Sequence, residues 1–395
     1  MDEDTPIGER IRYWRKKRKT EQDVLAGQVG RSTSWLSKVE RGEIVMDSIK
    51  VLTETARVLK VGVWDLMPRL GLPPNGGAPL DRPKGIYAVR RAVLVDPPAD
   101  REAPSADRLR ADVDRVGLLV GRGSFEARAI LLPELVRNAR LAAAREVPGA
   151  WWCLARVYLM ASGLANPFGD MALIWVALDR AVAAAQQSGD PLMVAHARRR
   201  QAFRLLRDDC LDEAGAVCSD AADAIAPTDE TSPEGWSMWG SLQLTEAVAA
   251  GRGDREAEAR RLLGNARAAA DRVGPGRNDY WESFGPANVG AHEFEVMMQS
   301  GNVTDALRIA DTVEVDEWPM AGRRAGFLVD VAYAYGVLTD DGAAIGVLLE
   351  AKRQSEEIVR YSVKAHELVR VCLDREKRYR TPGLRDLAKE LKIPH

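Results

Sequence analysis

Gln22-Asp23-Val24-Leu25-Ala26-Gly27-Gln28-Val29-Gly30-Arg31-Ser32-Thr33-Ser34-Trp35-Leu36-Ser37-Lys38-Val39-Glu40-Arg41-Gly42 decides the fold of the front of the chain. Leu25, Ala26 and Val29 share one face of a helix over about 22–29. Gly30 stands where a helix closes on a left-handed residue. Ser32 is placed to cap the next helix, Thr33 to Glu40, whose Leu36 and Val39 point inward; Arg41-Gly42 ends it. Upstream, Ile7, Ile11 and Trp14 recur at i, i+4 and i+7, one face of a first helix. Downstream, Asp47 or Ser48 caps a fourth helix with the stripe Ile49, Leu52, Ala56 and Leu59, and a short fifth helix contributes Val63 and Leu66. Five short helices with a glycine turn between the second and third make a helix-turn-helix domain, assigned to residues 1–70.

Gln22 to Ala26, Gly30, Ser34 to Gly42, Leu59 and Val61 together resemble the XRE family, the phage Cro-repressor type of domain, over roughly residues 7–67. The resemblance implies that the helix from Thr33 enters the major groove of double-stranded DNA, with Thr33, Ser34, Ser37 and Lys38 facing the bases. It implies that Gln22 meets the DNA backbone with its side chain and helix amides, and that Arg31 and Arg41 are phosphate partners. It also implies a homodimer on two half-sites. Glu21 and Arg31 depart from the family pattern, which has a small polar and an apolar residue there; Arg31 snorkels outward and adds a contact. Arg15 and Glu40 read as a structural ion pair between helices one and three. The run Arg15-Lys16-Lys17-Arg18-Lys19 is either a solvated helix end or a phosphate clamp.

Charge separates this segment from the rest. Residues 7–60 hold 13 Lys/Arg against 7 Asp/Glu, in a chain of 395 residues whose formal net charge is -2. A small basic segment therefore precedes a large, mildly acidic body, which suggests two jobs. Hydrophobic residues at 46% and charged residues at 29% fit a globular protein and argue against a disordered one. Apolar runs are too short for a membrane helix, and MDEDTPIGER has no signal-peptide core. Four cysteines without a CxxC pair argue against a zinc site and fit a reducing cytosol. The expected location is cytoplasmic, on the nucleoid when DNA is bound.

Residues 71–105, with the Pro/Gly-rich stretches 71–85 and 96–105, read as a linker carrying a short helix, IYAVRRAVLV. From 106 to 395 the pattern is helical, so the fold class is all-α. Helices are expected at roughly 107–119, 124–146, 150–164, 169–188, 191–207, 210–225, 234–250, 254–273, 286–299, 303–314, 322–338, 341–355, 357–373 and 383–391. Gly189-Asp190-Pro191, Gly274-Pro275-Gly276 and Gly301-Asn302 carry helix-stop chemistry. Small residues in 300–310 and 340–351, and more weakly in 210–221, resemble degenerate tetratricopeptide repeats, so a TPR-like α-solenoid is expected. A repeat body behind an XRE-type domain is similar in architecture to the Rap–Rgg–NprR–PlcR–PrgX peptide receptors. That likeness implies a sensor and dimerisation domain with a groove for a peptide or small-molecule effector.

One stretch of the body stands out. Asn288, His292, Glu295 and Gln299 lie at i, i+4, i+7 and i+11, preceded by Trp281 and Phe284. It is either a ligand groove, with Trp281, Phe284, Asn288, His292 and Glu295 as its lining, or a solvated outer face with packed aromatics. No GxxxxGK[ST], GxSxG or HExxH is present, so no catalytic residue, metal or cofactor is expected. Two readings follow: a transcriptional regulator whose DNA occupancy is gated through its helical body, or a protein-interaction scaffold tethered to DNA.

Overall fold

The structure, a computed structural model, describes residues 5–42, 49–61, 66, 82–98, 100–253, 255–299, 301–376 and 381–393. It is all-α, with no strand among the described residues. The front holds α1 (Ile7–Lys17), α2 (Gln22–Gln28), α3 (Thr33–Glu40) and α4 (Ile49–Leu59). Ile11, Leu25, Ala26, Leu36, Val39, Leu52, Ala56 and Leu59 form its core, with Leu66 buried among them. The fifth helix and the cap at Asp47 or Ser48 fall outside the described residues. Gly30 has φ +67°, as a left-handed helix end requires. Ser32 Oγ accepts from Trp35 N at 3.2 Å and caps α3. Gly8 brings α1 and α3 into backbone contact: a Cβ there would lie 1.8 Å from Val39 O.

Helix α5 (Ile86–Leu94) lies in the stretch read as linker and packs Ile86, Val89, Ala92 and Val93 into the core of the body. Pro133 explains its seat. Proline inside α7 (Phe125–Ala144) cannot donate to the Ala129 carbonyl one turn back. The Gly85 backbone rests on that freed carbonyl, where a Cβ would come within 2.2 Å of the oxygen.

The body then runs as antiparallel helix pairs. After α6 (Ala106–Gly121) and α7 come α8 (Ala150–Ala165), α9 (Met171–Ser188), α10 (Pro191–Arg207), α11 (Leu211–Ala224), α12 (Pro233–Arg252) and α13 (Glu256–Val273). They are followed by α14 (Pro286–Gln299), α15 (Val303–Ala310), α16 (Ala321–Val337), α17 (Asp341–Gln354), α18 (Glu356–Arg360), α19 (Val363–Arg375) and α20 (Leu384–Glu390). Buried alanines such as Ala155, Ala161, Ala177, Ala181 and Ala185 let α8 and α9 approach closely. The first helix of each pair also packs on the first helix of the next, from α6 through α8, α10 and α12 to α14. The breaks fall where expected, with Gly189 at φ +70° and Asp190 capping α10 ahead of Pro191. The helix expected over 357–373 is two helices. Ser362 caps α19 through Ala365 N, and the break lets Tyr361 reach Glu126.

That contact belongs to a seam. Glu357 accepts from Ser124 Oγ at 3.1 Å and from Glu126 N at 2.9 Å, and Ser355 Oγ donates to Arg122 O at 3.0 Å. The array of pairs thus curls until its start meets its end, with α6 also touching α16. The N-terminal domain rests on the outside: the Gly301 turn between α14 and α15 backs onto Arg57 of α4.

Candidate functional site

The face of α3 opposite its buried Leu36 and Val39 is open. Arg31, Thr33, Ser34, Lys38 and Arg41 are exposed and Ser37 half-buried. Arg31 stacks over Trp35 at 5.3 Å, and Arg41 donates to Ser37 Oγ. These six residues lie on one surface. Gln22 is held differently: its Nε2 donates to Glu40 Oε2 at 2.9 Å, so the side chain is committed inside the domain. The same Glu40 is gripped by Arg15, Nε to Oε1 at 2.6 Å and Nη2 to Oε2 at 2.9 Å. This two-pronged pair joins α1 to α3 and fixes the angle of α3. The basic run splits in use. Arg15 and Arg18 donate to protein acceptors, Arg18 to Leu59 O and Lys60 O, whereas Lys16, Lys17 and Lys19 are exposed.

A second site lies inside the body. The segment 274–285, between α13 and α14, crosses the interior as a strap. Tyr280, Trp281 and Ser283 all take left-handed φ values of 50°, 60° and 47°. Such backbone costs a non-glycine residue about 1–2 kcal/mol each, so its contacts hold it there. Trp281 lies against Gly117 of α6, where a Cβ would meet the indole at 2.7 Å, with Arg156 stacked 3.6 Å from its ring. Phe284 fills the space left by Gly240 of α12. Tyr280 Oη donates to Asp190 at 2.9 Å, beside Trp152. Arg110, Trp152, Glu234, Asn278, Asp279, Tyr280 and Trp281 line a cavity of about 340 Å³ on the strap's outer side.

Glu282 is the strap's charged anchor, 2% exposed. Arg199 donates to its Oε2, and His196 Nδ1 lies 3.0 Å from Oε1. Burial opposes its charge, but Arg199 and His196 outweigh that and hold the carboxyl well below its usual range. His196 Nε2 faces Arg156 Nη1 at 2.8 Å, which requires a neutral ring with its proton on Nδ1. Burial pushes its pKa down to about 4.

The residues proposed from sequence as a ligand groove fall inside this network. Asn288 is fully buried, its Nδ2 donating to Glu282 O at 3.2 Å and its Oδ1 accepting from Arg323 at 2.7 Å. His292 Nδ1 bonds Asn288 O at 2.9 Å, and burial with Arg323 nearby brings its pKa to about 3. Glu295 is half-buried, and its pKa is raised by burial and by Asp330. Phe284, 1% exposed, offers no surface to a ligand in this conformation. The Asn288 and His292 part of the polar face of α14 is thus buried rather than solvated, while Glu295 and Gln299 keep partial exposure and Trp281 lines the cavity on the strap's outer side. Arg156, Arg199 and Glu282 carry this site and escaped the sequence reading. For Arg199 the signal was the spacing His196, Arg199, Arg200, Phe203, Arg207 on α10, which passes for a solvated charged face.

Both histidines are therefore neutral through the physiological range. In a two-dimensional spectrum, the imidazole signals of His196 and His292 are expected to stay flat from pH 8 to pH 5. Both folded pKa values lie below the unfolded 6.5, so their contribution is full above that pH and fades as pH falls towards 4. Glu246, raised to about 7 by burial, works in the opposite direction over much of that window. A midpoint near 6.5 for either ring would contradict the buried geometry.

No helix among the described residues is long and apolar enough to cross a membrane. No curated protein matches the chain. Residues 6–67 match the family model of a helix-turn-helix domain. This match and the open face of α3 together make the front of the chain a helix-turn-helix DNA-binding domain, which points to a DNA-binding regulator rather than an enzyme.

Proposed function

We propose that the protein is a sequence-specific transcriptional regulator, working as a homodimer, whose hold on double-stranded DNA is gated by a peptide or small-molecule ligand in the helical body. The observation that carries the DNA half is the exposed surface of Thr33, Ser34 and Lys38 on a helix locked by Arg15 and Glu40. Hydroxyls accept or donate to any base edge, and the Lys38 ammonium suits guanine O6 and N7. Arg31 and Arg41 flank that surface and are assigned to phosphates. The gating half is supported by the contact between Arg57 of α4 and the Gly301 turn, which links the domain to the end of α14. The start of α14 holds Asn288, the partner of the strap.

Lys38→Ala is expected to weaken specific binding by about 1–3 kcal/mol and to relax base preference at one position. Gel-shift titration against a full set of operator base substitutions measures both. Unchanged affinity and unchanged preference would take Lys38 out of the reading set. Gating is tested by linkage: a ligand that raises the melting temperature must also shift DNA affinity.

A further inference from the structure

The cavity on the outer side of the strap has walls of two kinds. Trp152 of α8 and Tyr280 and Trp281 of the strap give it aromatic faces, and Arg110, Glu234, Asn278 and Asp279 supply polar groups. At about 340 Å³ it has the size of a small-molecule site, and aromatic walls with a few placed polar groups are the usual composition of one. On α6, Arg110, Asp114 and Gly117 recur at i, i+4 and i+7, so one face of that helix meets the cavity and the strap. Gly117 leaves room for the Trp281 indole, and the Arg110 guanidinium lies over the Trp152 ring at 3.9 Å.

The polar groups of this wall differ in what they have left to give. Asp279 has both oxygens filled by Arg277, from Nε and Nη2 at 2.8 Å, and Arg277 also donates to Glu234 Oε1 at 2.5 Å. Asp190, bonded to two of the rings, accepts from Trp152 Nε1 at 3.0 Å and from Tyr280 Oη and Leu192 N at 2.9 Å. A cationic ligand would therefore find these carboxylates already occupied. Arg110 is the opposite case. Its guanidinium makes no hydrogen bond among the described residues, and its ion pair, Nε to Asp114 Oδ2, spans 3.7 Å, beyond hydrogen-bond length. Arg156, buried against Trp281, adds positive charge to the same wall. The cavity thus offers flat faces for a ring and an unused planar fork for an anion. A guanidinium pairs with a carboxylate through two parallel hydrogen bonds and can stay stacked on an aromatic ring while doing so.

We infer that this cavity binds a planar aromatic carboxylate, its ring against Tyr280 and Trp281 and its anionic end on Arg110 where that side chain rests on Trp152. The inference deepens the gated-regulator reading by naming a site and a ligand class, and rests on that reading only for its effect on DNA. Four consecutive strap residues, Asn278 to Trp281, line the cavity, and two of them hold left-handed φ, the kind of strain that gathers at ligand clamps. A ligand seated there acts directly on the strap, whose next residue, Glu282, accepts from Asn288 of α14 through its carbonyl.

The test uses the full-length protein and probes that share one ring system: naphthalene-2-carboxylate, the neutral naphthalene-2-carboxamide and the cationic 2-naphthyltrimethylammonium. In calorimetric titration the carboxylate should bind saturably, about tenfold or more tighter than the carboxamide, the worth of a charge-assisted hydrogen bond. The cation should bind no better than the carboxamide. Arg110→Gln should bring carboxylate affinity down to that of the carboxamide and leave carboxamide affinity unchanged, which separates a lost contact from a lost fold. Asp114→Asn, which removes the carboxylate competing for Arg110, should tighten carboxylate binding, and Arg108→Gln, exposed on another face of α6, should leave it unchanged. No saturable binding of the carboxylate, equal or tighter binding of the carboxamide or the cation, or equal carboxylate affinity in the parent and Arg110→Gln overturns the site. A parallel DNA titration keeps the two ideas apart. Carboxylate binding with unchanged DNA affinity upholds the site and refutes gating through it; absent binding refutes the site and leaves gating by another ligand standing.

Discussion

Gly8→Ala is expected to abolish DNA binding while leaving the helical body folded. The added methyl carbon would sit 1.8 Å from the Val39 carbonyl oxygen and 2.8 Å from its carbon, both of them backbone atoms of α3. A side chain could swing away, but a helix backbone must move as a unit. Overpacking a well-packed core ordinarily costs about 1–3 kcal/mol, and a rigid backbone contact sits at or above the top of that range. Moving α3 away from α1 would also pull Glu40 from Arg15, breaking a buried ion pair. Gly27→Ala is the matched control. Its Cβ would meet nothing within 4 Å, so the domain should hold or gain a few tenths of a kcal/mol from helix propensity. Gel shifts on both variants, with circular dichroism to follow the body, check this. Parental DNA affinity in Gly8→Ala would show that the two helices do not meet as described.

Glu282→Ala should destabilise the body by about 3–5 kcal/mol, the usual cost of stripping one member from a buried ion pair. The variant leaves Arg199, 2% exposed, with the Ser241 carbonyl at 2.9 Å and no counter-charge in contact, and it frees a strap already holding three left-handed residues. The double variant Glu282→Ala with Arg199→Met should recover part of the loss, because removing both charges removes the desolvation cost. Thermal melts of the parent, the single and the double variant decide it. A single variant as stable as the parent would mean that the strap is not anchored there.

The helix-turn-helix segment was legible because its determinants are local. Gly30, Ser32 and the stripe of Leu25, Ala26, Leu36 and Val39 each act within a few residues, and each stands where its pattern placed it. Helix boundaries in the body were legible for the same reason, through Gly189, Asp190 and Pro191. What the sequence hid is long-range. Nothing near Tyr361 in the chain announces that its hydroxyl will meet Glu126 and split a helix. Asn288 and His292 looked like a polar outer face because periodicity reports that residues share a side, without saying which side is inside. Gly117 and Gly240 are helical glycines whose purpose appears only with Trp281 and Phe284 in place. In the candidate site, the exposed face of α3 was readable, while the bond from Gln22 to Glu40 was not, since it joins helices 18 positions apart.

The seam between the two ends of the array has a consequence for biosynthesis. In an open array each unit leans on its neighbours alone, so a growing chain can settle progressively and a truncated one loses its last unit with little else disturbed. Here the carboxylate and hydroxyl that satisfy the amides and side chains at the start of α7 lie 231 to 235 positions downstream. The nascent protein therefore stays unlatched until nearly its whole length has left the ribosome, and a premature stop before Ser355 would forfeit the closure along with the missing helices.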